Sequence, residues 1–243
     1  MDKTVILWDV ETGVCQHTLT GHSEPIRWIE YSPHGHQIAS ASDDKTVRLW
    51  NTKTGDCYHI LIGHQENVSR VVYSPRGDQV ASASCRDKTV RLWDTASSGE
   101  CRHTLVGHAM GIYAIAYSPR GDLLASWSDT GEGRLWDVET GDCCWNLPYD
   151  GSTQSGGVVT TNPFVWMSLD VDAFIAGCDD GSVMVWDVIK EGDQYHVHRR
   201  WRSTNGQLDV EDAWVQDVQG LSHFNKQLLW QRGALGEPDT RLL

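Results

Sequence analysis

The chain has 243 residues and a formal net charge of −13 at pH 7. That length can bury a sizeable core, while the acidity argues against nucleic acid or an anionic membrane as partner, because phosphate needs a basic face. The sequence has no apolar run of the roughly 18 residues that a membrane-spanning helix requires, and its start (MDKTV) lacks the basic and apolar regions of a secretion signal, which points to the cytoplasm or nucleus.

Residues 1–10 (MDKTVILWDV) read as one strand. Val5 and Leu7 alternate with Ile6 and Trp8, all apolar, which predicts a strand covered on both faces. Glu11-Thr12-Gly13 is a turn, with Gly free to take positive φ. Further strands are expected over Cys15–Leu19 and Ile26–Tyr31. Ser32-Pro33-His34-Gly35 then turns the chain, and Gln37–Ser42 and Thr46–Trp50 complete a unit of four strands. The same scheme returns over 57–94 and 101–137. Gly21-His22, Gly63-His64 and Gly107-His108 open the three copies, and Trp50, Trp93-Asp94 and Trp136-Asp137 close them.

A looser copy ends at Trp186-Asp187. It has no Gly-His and carries an insert at 150–157 that reads as a loop. Its strands are expected over Phe164–Ser168, Ala173–Cys178, Val183–Trp186 and Tyr195–Trp201. Two short strands are expected near Leu208–Val210 and Trp214–Val218. Ser222 then caps a helix from Phe224 to about Arg232, ended by Gly233. The chain thus divides into a repeat domain, 1–220, and a helix with a tail, 221–243.

The tryptophans at 8, 50, 93, 136 and 186 are spaced by 42, 43, 43 and 50 residues. Together with the Gly-His and Trp-Asp dipeptides, this period resembles the Trp-Asp (WD) repeat β-propeller family, in which each repeat is a four-stranded blade. The resemblance covers residues 1 to about 188. It implies an all-β propeller with four recognisable blades. A fifth is either split between the termini, Val5–Trp8 and Cys15–Leu19 pairing with strands at 208–218, or missing from an open arc of a longer propeller, since the chain starts inside a repeat. The tail adds a resemblance of its own. DVQGLS (217–222), NKQLL (225–229) and QRGA (231–234) are similar to the end of propellers attached to fungal NACHT-type NTPases. There the propeller is thought to act as a sensor. The chain has no GxxxxGK[ST] of its own for nucleotide hydrolysis.

His22, Ser40 and Asp44 invite a nucleophilic-triad reading, and His64, Ser82 and Asp87 offer a second set. A catalytic site has no reason to recur once per repeat with a tryptophan at fixed offset. The family resemblance implies instead a buried hydrogen-bond relay: Trp50, Ser40, His22 and Asp44, then Trp93, Ser82, His64 and Asp87. In the third copy His108, Ser126 and Trp136 are in place but Thr130 holds the Asp position, with Asp129 displaced by one, so that relay is expected to be incomplete. The fourth keeps Asp180 and Trp186 but has Ala176 for Ser and no His, so none is expected. Cys15-x-His17, Cys57-x-His59 and Cys101-x-His103 supply two ligands per repeat where zinc takes three or four, which favours packing over metal. The seven cysteines, without a CxxC, are expected as free buried thiols. No catalytic activity, cofactor or metal is expected.

The resemblance implies that partners meet the rim loops. Three loop positions vary in type within a constant frame: Pro25, Asn67 and Gly111; Arg27, Ser69 and Tyr113; Asp43, Arg86, Asp129 and Asp179. Varied side chains on a fixed scaffold suit recognition. The candidate partner contacts are therefore Arg27, Asp43, Asn67, Ser69, Arg86, Tyr113, Asp129 and Asp179. The expected partner is another protein, and the acidity of the chain suits a basic patch on it. The function expected first is a non-catalytic interaction scaffold. The alternatives are a sensor propeller of a NACHT-type signalling NTPase and, more remotely, an enzyme with its site in the central opening, for which no motif speaks.

Overall fold

The computed structural model describes residues 2–95, 99–129, 131–147, 164–166, 173–177, 183–192 and 194–202. The chain divides into two units, 1–152 and 153–243. The strands and helix expected at 208–218 and 224–232, the insert at 150–157 and the tail that resembles NACHT-associated propellers lie outside the described residues. No helix occurs among the described residues, and therefore none that is long and apolar enough to cross a membrane.

The first unit opens with a two-stranded antiparallel sheet, β1 (Val5–Trp8) and β2 (Cys15–Leu19). Three four-stranded antiparallel sheets follow. They are β3 (Ile26–Tyr31) to β6 (Cys57–Ile62) by way of β4 (Gln37–Ser42) and β5 (Thr46–Asn51); β7 (Val68–Tyr73), β8 (Gln79–Ser84), β9 (Thr89–Asp94) and β10 (Cys101–Val106); and β11 (Ile112–Tyr117), β12 (Leu123–Ser128), β13 (Gly133–Asp137) and β14 (Cys143–Leu147). The second unit holds β15 (Phe164–Trp166), β16 (Ala173–Gly177), β17 (Val183–Glu191) and β18 (Gln194–Arg202) in the same order. Strand order follows chain order in every sheet because few residues separate consecutive strands, a span that only an antiparallel neighbour can accept.

The turns follow from their residues. In Ser-Pro-x-Gly, Gly35 takes φ +72° and its N–H bonds the Ser32 carbonyl at 2.9 Å, while the Ser32 hydroxyl accepts the Gln37 N–H that follows. After β1, β5 and β13, Asp9, Asn51 and Asp137 accept backbone N–H groups two and three residues on, closing an Asx turn. The register slips just before Trp8, Trp50, Trp136 and Trp186, a bulge of the kind that redirects a side chain.

Each apolar core of the first unit lies between consecutive sheets. Val5, Leu7 and Leu19 pack with Ile38 and Trp50 of the next sheet. Ala39, Ala41, Val47, Leu49 and Leu61 pack with Val71, Tyr73 and Trp93. Ala81, Ala83, Val90, Leu92 and Leu105 pack with Ile115, Tyr117 and Trp136. The small Ala-x-Ala of the second strand lets the next sheet approach closely.

Two expectations are corrected. β1 is covered on one face only: Val5 and Leu7 are buried, but Ile6 is 40% and Trp8 59% exposed. β1 pairs with β2 alone, so among the described residues no strand stands where β3 and β4 stand in a full sheet. The described cysteines are free, but none is buried; Cys15, Cys101 and Cys143 are exposed and Cys57, Cys85 and Cys144 half-buried. Cys15, Cys57, Cys101 and Cys143 open the last strand of each of the four sheets in the first unit.

Candidate functional site

Each Gly-His dipeptide enters a sheet beside its own Ser and Trp. In the first full repeat the Trp50 indole N–H donates to Ser40 Oγ at 2.8 Å, Ser40 Oγ lies 2.7 Å from His22 Nε2, and His22 Nδ1 lies 2.7 Å from Asp44 Oδ2. Asp44 also accepts the Ser23 and Thr46 N–H groups and the Thr46 hydroxyl. Burial pushes the Asp44 carboxyl up, but the bonds from Thr46 and His22 outweigh it and hold it below the ordinary range. An ionised Asp44 accepts the His22 Nδ1 proton, so Nε2 is the acceptor and the Ser40 hydroxyl donates to it. Burial in turn pulls the His22 pKa down against the pull of Asp44. The chain therefore runs one way, indole to hydroxyl to imidazole to carboxylate, with every member used.

The second repeat repeats this geometry. Trp93 donates to Ser82 at 2.8 Å, Ser82 meets His64 at 2.8 Å, and His64 meets Asp87 at 2.8 Å. Asp87 is held well below the usual carboxylate range, burial again opposing and the His64 and Thr89 bonds prevailing. These distances resemble those of a Ser-His-Asp triad, but Ser40 and Ser82 have no exposed surface and already accept an indole N–H. Neither has a face open to a substrate.

The third repeat keeps Trp136 to Ser126 at 2.7 Å and Ser126 to His108 at 2.6 Å. His108 Nδ1 then makes no hydrogen bond; Glu132 Oε2 stands 3.7 Å away. Burial pushes the His108 pKa well down, and Arg134, which draws Glu132 into a 2.7 Å ion pair, adds to the shift. Glu132 was not among the expected residues. The signal is a swap: Asp44-x-Thr46 and Asp87-x-Thr89 become Thr130-x-Glu132, with the acid displaced by two positions. In the fourth repeat Asp180 and the side chain of Ala176 lie outside the description.

Several of the loop residues expected to meet partners are engaged within the chain. Arg27 donates two N–H groups to Asp43, one of them at 2.7 Å. Arg27 holds the Asp43 carboxyl down, and the Asn67 side chain adds a further bond to it. The Ser69 hydroxyl lies 3.1 Å from two carbonyls, Ala83 in its own sheet and Ile112 in the next. Arg86 and Asp129 are exposed, Tyr113 is half-buried, and Asp179 lies outside the described residues.

Two sets of contacts between consecutive repeats had not been expected. At one end of the sheets Lys3, Lys45 and Lys88, all at positive φ, donate to the carbonyls of Ser23, Gln65 and Ala109, the last two at 2.6 and 2.7 Å. At the other, His17 and His103 put Nε2 3.0 Å from the carbonyls of Lys53 and Glu139 in the next repeat. Gly55 and Gly141 lie against these rings, where a Cβ would stand 3.0 and 2.8 Å from Nδ1. The imidazoles of Cys15-x-His17 and Cys101-x-His103 are thus seated on the neighbouring turn, while the cysteine sulfurs of β6, β10 and β14 stand 3.6–4.0 Å from Arg48, Arg91 and Arg134. No group of three or more potential metal ligands converges among the described residues. The same arginines lie over the tryptophans at 5.9–6.0 Å. They also explain the glycine before each His, since a Cβ at Gly21, Gly63 or Gly107 would meet the guanidinium at 2.6–2.8 Å.

A family model described as WD domain, G-beta repeat matches residues 13–51, 55–94, 99–137 and 162–187. Individual relatives match over one repeat only. The F-box-like/WD repeat-containing protein TBL1X of Mus musculus is 62% identical over 34 residues, 14% of this chain and 6% of the relative. The nuclear distribution protein nudF 2 of Aspergillus clavatus is 49% identical over 43 residues, 18% of this chain and 10% of the relative. The nuclear distribution protein PAC1 of Coccidioides posadasii is 44% identical over 43 residues, 18% and 9%. The matched stretch spans a tenth or less of these relatives.

Proposed function

Because the chain belongs to the WD domain, G-beta repeat family, we propose that it is a non-catalytic platform for protein partners, a β-propeller whose four-stranded sheets are its blades and whose rim loops make the contacts. One observation supports the reading. The His and Ser of the triad-like sets sit in buried relays, with the His22 and His108 side chains fully covered and the His64 side chain 1% exposed, while the side chains that vary between repeats belong to loops outside those relays. Function here lives in the surface grafted on the fold, not in the fold itself. Nothing is carried over from the single-repeat relatives, whose printed names describe proteins of which this chain matches a tenth or less.

Cross-linking followed by mass spectrometry on the tagged chain tests this. The triple variant Arg27→Ala, Arg86→Ala and Tyr113→Ala is expected to reduce partner recovery about ten-fold or more, since Arg and Tyr are enriched among residues that dominate interfaces. Its melting temperature should stay close to wild type, because the exposed Arg27–Asp43 pair contributes about 1 kcal/mol or less. Partners recovered equally by the triple variant would remove the rim from the reading.

A further inference from the structure

We propose that the rim sector of Arg86, Lys88 and Met110 binds an acidic peptide segment of a partner protein, one carrying apolar side chains between its carboxylates. This rests on the reading of the rim as the partner surface and names the chemistry of what it takes.

The repeats serve as internal controls. At the first position, Arg27 is matched by Asp43 in the first repeat. In the second repeat the acid is gone: Cys85-Arg86 precedes Asp87 where Asp43 alone precedes Asp44, so the turn is one residue longer and brings Arg86 with it, and Ser69, in place of Arg27, spends its hydroxyl on two carbonyls. At the second position, Lys3 and Lys45 each bond a carbonyl and face the carboxylate of the following residue, Glu24 or Glu66, at 3.7 Å. Lys88 makes the same carbonyl bond, to Ala109, but the following residue is Met110, 44% exposed. Relative to the first repeat, this sector has lost two carboxylates, those of Asp43 and Glu66, and also the cation of Arg27; its cations are Arg86, which the longer turn adds, and Lys88.

Arg86 and Lys88 are both exposed and flank Asp87, which turns inward to His64. Neither makes an ion pair among the described residues. Two acids lie close by. Asp43 feels Arg86 but is held by Arg27 and Asn67, and the exposed Asp129 approaches Cys85 and Gly111. Arg86 retains a five-donor fork and Lys88 two further N–H donors, the geometry that carboxylates accept. Met110 beside them is an adaptable apolar contact. On a chain of net charge −13 these two exposed cations make no ion pair among the described residues, so bulk acidity, which suggests a basic partner, does not by itself describe the chemistry of this part of the rim.

The test titrates the full chain with three fluorescent peptides of about 12 residues in one frame, alternating Leu with Glu, Gln or Lys. The Glu peptide is expected to bind about ten-fold more tightly than the other two. Arg86→Glu with Lys88→Glu should abolish that preference, Met110→Ala should weaken it a few-fold, and Arg102→Glu, on the outer strand β10, should leave it unchanged. Equal binding of the Glu and Gln peptides, or a preference that survives the double reversal, overturns the proposal. A Lys peptide that binds best and cross-links beside Met110 overturns the acidic partner but keeps the rim as a binding surface. No peptide at the rim, together with unaltered partner recovery by the triple alanine variant, removes both.

Discussion

A single serine hydroxyl decides how the relay behaves. Ser82 accepts from Trp93 and donates to His64, so Ser82→Ala strands a buried donor and a buried acceptor at once. We expect Ser82→Ala to cost about 1–3 kcal/mol in denaturant unfolding, and Trp93→Phe, which keeps the ring but loses the N–H, to cost a similar or larger amount through lost area. An unchanged midpoint for Ser82→Ala would mean that the chain of bonds does not stabilise the fold. The same residues set the acid response. Burial depresses the His22 and His108 pKa values, so the folded state resists a proton that the unfolded chain takes up below about pH 6.5. Stability from this source is fully present above that pH and falls as the pH drops toward the folded values. The depressed Asp44 and Asp87 carboxyls contribute stability that is lost only in stronger acid, below about pH 4. The melting temperature should therefore fall between pH 7 and pH 5, and His108→Gln should flatten part of that slope. A melting temperature constant over that window would show that these rings do not drive the response.

At the scale of elements, consecutive repeats are held at both ends, by lysine at one and histidine at the other. Gly141 takes φ +77° and lies under the His103 ring. Gly141→Ala both strains the backbone by about 1–2 kcal/mol and drives a methyl to 2.8 Å from Nδ1. We expect faster amide exchange in β10 as well as at the mutated turn, since the histidine that it displaces belongs to that strand; exchange confined to the turn would show the contact to be passive. The strands themselves were legible because Ser-Pro-x-Gly and Thr-Gly turns punctuate alternating runs, and β2, β3 and β4 fall where those signals put them. The couplings were not. Cys-x-His reads as half a metal site, and only the neighbouring turn, about 36 residues on, explains the imidazole. Likewise the acid in the third repeat moved by two positions, and a position-by-position reading sees only Thr130. β17 extends past Trp186 to Glu191 because its pairing with β18 runs on after the motif ends.

Over the molecule, the decisive comparison is between faces that repeat. In residues 1–152, Val71 and Tyr73 are 0% and 7% exposed, and Ile115 and Tyr117 are 4% and 8% exposed, each pair covered by the preceding sheet. Ile29 and Tyr31 occupy the same register in β3 and are 46% and 56% exposed. The difference traces to one strand. Ala39 and Ala41 of β4 cover Val71, and Ala81 and Ala83 of β8 cover Ile115, but β1 and β2 supply only counterparts of Val47, Leu49 and Leu61, namely Val5, Leu7 and Leu19. Ile29 therefore borders an open groove with Ile6 and Ile26. Val71→Asn, which buries an amide where a core side chain stood, should cost about 2–4 kcal/mol. Ile29→Asn, the same chemical change at the equivalent site, should stay within about 1 kcal/mol of wild type, because the asparagine keeps its water. Equal losses at the two sites would mean that a strand from outside the described residues covers the β3 face in solution; a neutral Ile29→Asn leaves that face, with Trp8 and Tyr31 beside it, open to water.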